Sequence, residues 1–212
     1  MVRRLPVYLL LDTSGSMKGE PIESVKVGLE TMIKSLRRDP FALESVFLSI
    51  ITFDREVNEI LSLTELRDLI LPEILTPDSG PTFLGKALEL LFEKCNKEII
   101  RGTSDRKGDW KPLLFIMTDG KPSDGLVYDE MVPKIKSLGF GTIVGCAAGP
   151  KSSVESLKKL TEHVVHLDTT DSSTFSQFFK WVSASISTGN RSQGNGGDNE
   201  LPPPPPDLNP VI

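Results

Sequence analysis

The feature that most limits this chain is the stretch LPVYLLLDTSGSM, Leu5 to Met17, in which an apolar run from Val7 to Leu11 leads straight into Asp12. Such a run, without polar alternation, predicts a strand buried on both faces, as at the centre of a parallel sheet. Asp12, Ser14 and Ser16 then set a carboxylate and two hydroxyls at alternate positions of a turn, and Pro21 suits the first position of a following helix. Alternate oxygens on one tight loop can surround a small hard cation.

The rest of the chain repeats this grammar. Ile22, Val25, Leu29, Met32, Ile33 and Leu36 fall on one helical face, and Arg37-Arg38-Asp39-Pro40 ends that helix. Val46 to Phe53 reads as a second core strand. Val57 to Leu63 reads as a third, and the turn between them is so short that the pair must be antiparallel. Thr64 predicts a cap for a short helix over Glu65 to Ile70. A loop rich in Pro and Gly then brings Thr82 to the start of a helix carrying Leu84, Ala87, Leu88, Leu91, Phe92 and Cys95.

Arg101 to Lys111 reads as a solvated loop. Leu113 to Met117 is a second uninterrupted apolar strand, and it runs into Thr118-Asp119-Gly120. A helix with Met131, Ile135 and Leu138, a strand over 141–148, a helix over 154–160, a strand over 164–167 and a helix from Phe175 to Ile186 complete the alternation. The fold expected is a three-layer α/β domain, a doubly wound, mostly parallel sheet with one antiparallel edge strand. It spans residues 1–187. From 188 to 212 the chain turns Gly/Asn-rich and then Pro-rich, which predicts a disordered, passive tail.

Composition narrows the function. A net charge of −5 and a pI near 5.2 lack the basic footprint of a nucleic-acid binder. The amino-terminal apolar run is short and has no small-residue cleavage site, so it reads as a core strand and the protein as cytoplasmic, with no membrane partner. Cys95 and Cys146 read as buried free thiols. His163 and His166, three apart on a strand, point to opposite faces and do not share a ligand.

Ligands of open α/β sheets sit beyond the carboxyl ends of the strands at the switch point. Asp12 and Asp119 end the two most apolar strands. If those strands are neighbours, the acids share a crevice with Ser14, Ser16 and Thr82. That set is all oxygen, which favours Mg2+, with Mn2+ or Ca2+ as substitutes, over zinc or copper. Two carboxylates and three hydroxyls leave a coordination position that a carboxylate from a partner protein would match in charge and geometry.

Asp12-Thr13-Ser14-Gly15-Ser16, Gly80-Pro81-Thr82-Phe83-Leu84-Gly85 and Thr118-Asp119-Gly120 resemble, in order, the three parts of the metal-ion-dependent adhesion site of von Willebrand factor A domains. The stretches from Arg3 to Met17 and from Thr118 to Asp124 further resemble the bacterial TerY-like group. The resemblance implies a six-stranded sheet and Asp12, Ser14, Ser16, Thr82 and Asp119 as direct or water-mediated magnesium ligands. It also implies a role in tellurite resistance or a related stress response, with a protein kinase or a PP2C-type phosphatase as partner. Pro81 stands where such proteins often have a second glycine, and it stiffens the loop before Thr82.

The leading expectation is a non-enzymatic interaction module. An alternative is a Mg2+-dependent phosphatase or phosphotransferase with Asp12 as nucleophile, although Ser14 stands where haloacid-dehalogenase-type enzymes carry a second acid. A third reading is a scaffold whose loop hydroxyls only cap helices.

Overall fold

The computed structural model describes residues 3–78, 80–149, 152–194, 201–205 and 208–211, with 190–194 described by backbone alone. Chain order is β1 (Leu5–Asp12), a single 3-10 turn (Gly15–Met17), α1 (Glu20–Leu36), α2 (Pro40–Ser45), β2 (Val46–Phe53), β3 (Val57–Glu65) and α3 (Leu84–Glu98). There follow β4 (Leu113–Thr118), α4 (Gly125–Ser137), β5 (Thr142–Ala148), α5 (Val154–Leu160), β6 (His163–Leu167), α6 (Ser172–Gly194) and β7 (Asn209–Pro210).

The strands lie in the order β3-β2-β1-β4-β5-β6-β7. β2, β1, β4, β5 and β6 are parallel, and β3 and β7 run antiparallel at the two edges. All eight residues of β1 are buried. Alternate side chains point to opposite faces: Val7, Leu9 and Leu11 meet Leu29 and Met32 of α1 and Phe179 and Val182 of α6. Tyr8 and Leu10 join Leu88 and Leu91 of α3, Met131 of α4 and Leu157 of α5 on the other face. Each such side chain contributes roughly 1.5–3 kcal/mol on leaving water, so β1, apolar on both faces, holds the two helix layers to the sheet.

Leu9 lies beside Ile50 of β2 and Phe115 of β4. The connection out of β1 leaves through α1 on one face, and that out of β4 leaves through α4 on the other. The gap between the carboxyl ends of β1 and β4 is therefore the switch point at which α/β sheets bind ligands.

Several local expectations are revised. Residues 65–70 form no helix, because Thr64 and Glu65 stay in the ladder opposite Leu48 and Phe47, and the Leu66 N–H donates to the Val46 carbonyl. Asp39-Pro40 closes α1 but also opens α2, since the Asp39 carboxylate accepts from the Phe41 N–H at 3.1 Å and proline suits a first helical turn. The sheet has seven strands where six were implied. α6 runs on to Gly194, and the described part of the tail supplies β7 and buries Leu208 completely. Residues 195–200, 206–207 and 212 of the expected tail lie outside the described residues. Cys95 and Cys146 are buried and unpaired. Among the described residues no helix is long and apolar enough to cross a membrane.

Candidate metal centre

Asp12 ends β1 with only 1% of its surface exposed. Its Oδ1 accepts from the Ser14 N–H at 2.8 Å, and its Oδ2 accepts from the Thr118 hydroxyl of β4 at 2.6 Å. Burial pushes the carboxyl up from the ordinary 3.8 to about 6. The Thr118 and Ser14 hydrogen bonds hold it down in part, and the negative charge of Asp119 adds to the rise. Ser14 and Ser16 face the same side of the turn, their hydroxyl oxygens 3.2 Å apart.

Thr82 arrives from the loop before α3 and is fixed by the loop after β4. Its N–H donates to the Ser123 hydroxyl at 3.0 Å, and its carbonyl accepts from the Ser123 N–H at 2.8 Å. Asp124 spreads its two carboxylate oxygens over the Gly85 and Lys86 N–H groups at 3.0 and 2.8 Å, satisfying free donors at the start of α3. A Cβ on Gly85 would lie 2.5 Å from the Tyr128 nitrogen, so only glycine lets α3 and α4 approach this closely. The Thr82 hydroxyl lies 3.2 Å from where a Cβ on Gly120 would stand, which puts it against the residue after Asp119. On the other side, Asp54 after β2 accepts from the Thr13 hydroxyl at 2.8 Å, and its carbonyl accepts from the Phe83 N–H at 3.0 Å.

The five residues singled out in the sequence, Asp12, Ser14, Ser16, Thr82 and Asp119, are thus gathered at one crest by β1, β4 and the loop before α3. Of the holding groups Asp54, Thr118, Ser123 and Asp124, the sequence offers Ser123 and Asp124 as groups behind the ligands, though a solvated turn is its preferred reading of them, and Thr118 only as the neighbour of Asp119. Nothing in the sequence marked Asp54 beyond its place at a strand end.

One atom tests whether a cation fits. Asp119 Oδ1 is buried and, among the described residues, has no hydrogen-bond partner. A buried carboxylate oxygen without a donor is expensive, and a hard cation is one species that would satisfy it. The donor set of carboxylate and hydroxyl oxygens suits magnesium, manganese or calcium. No three His, Cys, Asp or Glu side chains converge among the described residues, so any ion here depends on the hydroxyls.

A doubly wound sheet with an oxygen-lined crevice at its switch point defines the class: an α/β ligand-binding domain. The von Willebrand factor type A domain model matches residues 7–181, and the chain belongs to that family of metal-dependent interaction modules. An uncharacterized protein of Synechocystis sp. is 29% identical over 154 residues, which cover 66% of this chain and 33% of that protein. The chain therefore spans about a third of the curated relative it matches.

Among solved structures, a von Willebrand factor type A protein from Catenulispora acidiphila superposes with a TM-score of 0.66 at 13% identity, covering 89% of this chain and 44% of that one. The proximal thread matrix protein of the mussel byssus, with zinc in its adhesion-site motif, gives 0.64 at 18% identity over 87% and 48%. BatB from Bacteroides thetaiotaomicron gives 0.60 at 15% identity over 89% and 100%. At these identities the likeness is one of fold.

Proposed function

We propose that this domain is a cytoplasmic, non-enzymatic docking module in which Asp12, Ser14, Ser16, Thr82 and Asp119 hold a Mg2+ ion. When bound, the cation would supply a coordination position that a carboxylate of a partner protein completes. The observation that carries this reading is the buried Asp119 Oδ1, which has no hydrogen-bond partner among the described residues. Asp12 is held from two sides by Ser14 and Thr118, so it is fixed before any ligand arrives. Thr82 is held through its backbone by Ser123, which leaves its hydroxyl free to face the crevice.

The finer reading follows the resemblance to the TerY-like group: a place in tellurite resistance or a related stress response, with a protein kinase or PP2C-type phosphatase bringing the acidic residue. Calorimetric titration of the full chain with Mg2+, Mn2+, Ca2+ and Zn2+ tests the site. Pull-downs with a protein kinase and with a PP2C-type phosphatase then test the partner. Capture that persists undiminished in excess chelator, or with Asp12→Ala, would reject the reading.

A further inference from the structure

Composition predicts a passive tail after residue 188, yet its described part is gripped by the domain. The Trp181 side chain of α6 is 5% exposed, and its indole N–H donates to the Pro202 carbonyl at 2.9 Å. Leu201 packs against the α1/α6 layer, and Leu208 is fully buried in it. Asn209 and Pro210 then pair with His166 and Val165 on the free edge of β6. The Val211 N–H donates to the Val164 carbonyl, and the Asn209 amide donates to Asp168 Oδ2, both at 2.9 Å.

These grips suit one kind of chain. Proline has no N–H, so its carbonyl is the only backbone group it can offer, and a fixed indole donor is the complement of that carbonyl. A run of prolines is already extended and loses little entropy on docking. The leucine anchor supplies the apolar burial, and a two-residue strand holds the end with few bonds.

We propose that the groove of α6 and β6 around Trp181 is a docking site for proline-rich segments with a leucine anchor. The chain's own tail occupies it in cis, and a partner segment of the same chemistry enters by displacing that tail. A tethered tail competes at an effective concentration on the order of millimolar, so partner binding stays suppressed while the tail is seated. The site is independent of the metal crevice, because β4 and β5 separate β6 from β1.

The test uses a fluorescein-labelled peptide LPPPPPDLNPVI, residues 201–212, titrated by anisotropy into full-length chains. The hosts are the wild type, Leu208→Asp, and a chain whose Pro202 to Pro206 are replaced by a Gly-Ser run of equal length, which keeps Leu201, Leu208 and Val211. Both altered chains should bind the peptide at least about tenfold more tightly than wild type, whose own tail competes. Adding Trp181→Phe should weaken that binding several-fold, and a peptide carrying Leu208→Asp should not bind. If Leu208→Asp does not fold, the Gly-Ser chain decides. Equal binding by all hosts, binding by none, or indifference to Trp181→Phe would overturn the proposal.

Discussion

The two ends of the central strand carry aspartates with buried carboxylate oxygens in opposite condition. At the amino end, Asp109 has a side chain 3% exposed and both oxygens answered by the chain itself. Arg4 grips it with Nε at 2.9 Å and Nη2 at 2.7 Å, and the Ile100 N–H donates at 2.8 Å. Arg3 stacks 3.6 Å over the Trp110 ring and donates to the Gly108 and Asp109 carbonyls. At the carboxyl end, Asp119 has an oxygen that no described residue answers. At one end the carboxylate is answered by the fold itself, and at the other the unanswered Oδ1 is the atom on which the proposed metal site rests. Completeness of hydrogen bonding, more than burial or charge, separates the two roles.

The largest expected effect is on ligand affinity. Losing a group that only orients a metal ligand weakens binding roughly 10–100-fold, so on the proposed site Asp119→Ala should weaken Mg2+ by more than about 100-fold. Metal-free melting should stay within about 0.5 kcal/mol of wild type, because no internal bond to Oδ1 is lost. A fall in metal-free stability comparable to that of an Asp109 variant would break the comparison.

Asp109→Ala should do the reverse. It takes the carboxylate partner from Arg4, whose side chain is 26% exposed and which keeps the Glu98 carbonyl as an acceptor, and leaves the Ile100 N–H without its acceptor. Removing one partner of a buried pair costs about 3–5 kcal/mol, and partial exposure of Arg4 lowers that to about 2–3 kcal/mol by urea unfolding. Mg2+ affinity should not change.

Asp12→Asn sharpens the contrast in chelator. The folded carboxyl titrates near 6 and an ordinary aspartate near 3.8, so the folded state holds the proton more tightly than the unfolded state does. Metal-free stability therefore falls as pH rises from about 4 to about 6 and is flat above that. Asparagine keeps both hydrogen bonds, its oxygen accepting from Ser14 and its amide donating to Thr118, without the buried charge. At pH 7 the metal-free variant should gain about 2 kcal/mol, or some 4–8 °C in Tm, and lose the pH dependence.

Much of the carboxyl end was legible because it is written in consecutive residues. An apolar run into Asp12 and another into Asp119 name two central strands and the acids at their tips. The amino end was not legible in this way. Arg3 and Arg4 meet Asp109 and Trp110 across more than a hundred residues of chain, and a loop rich in Arg, Lys, Gly and Asp looks solvated until that pairing is seen. The tail was misjudged for a related reason. Composition averages over its Pro, Gly and Asn residues, whereas Leu201, Leu208 and Val211 are isolated anchors that act one at a time. The supporting role of Ser123 and Asp124 is outweighed in the sequence by a solvated-turn reading, because they act on backbone groups of Thr82, Gly85 and Lys86 far along the chain, and such bonds have no sequence period.

The smallest effect tests whether the carboxyl end acts as one unit. Ser123→Ala removes the acceptor for the Thr82 N–H while leaving the Ser123 backbone bond to the Thr82 carbonyl intact. One neutral hydrogen bond is worth about 1 kcal/mol, so both metal-free stability and Mg2+ affinity should fall, the latter about fivefold. If stability falls and affinity does not, the Thr82 hydroxyl contributes little to the ion and the site rests on the two acids and the Ser14-Ser16 turn. If both fall together, the loop before α3 is part of the metal site, and the stiffness that Pro81 gives it favours a ligand already in place.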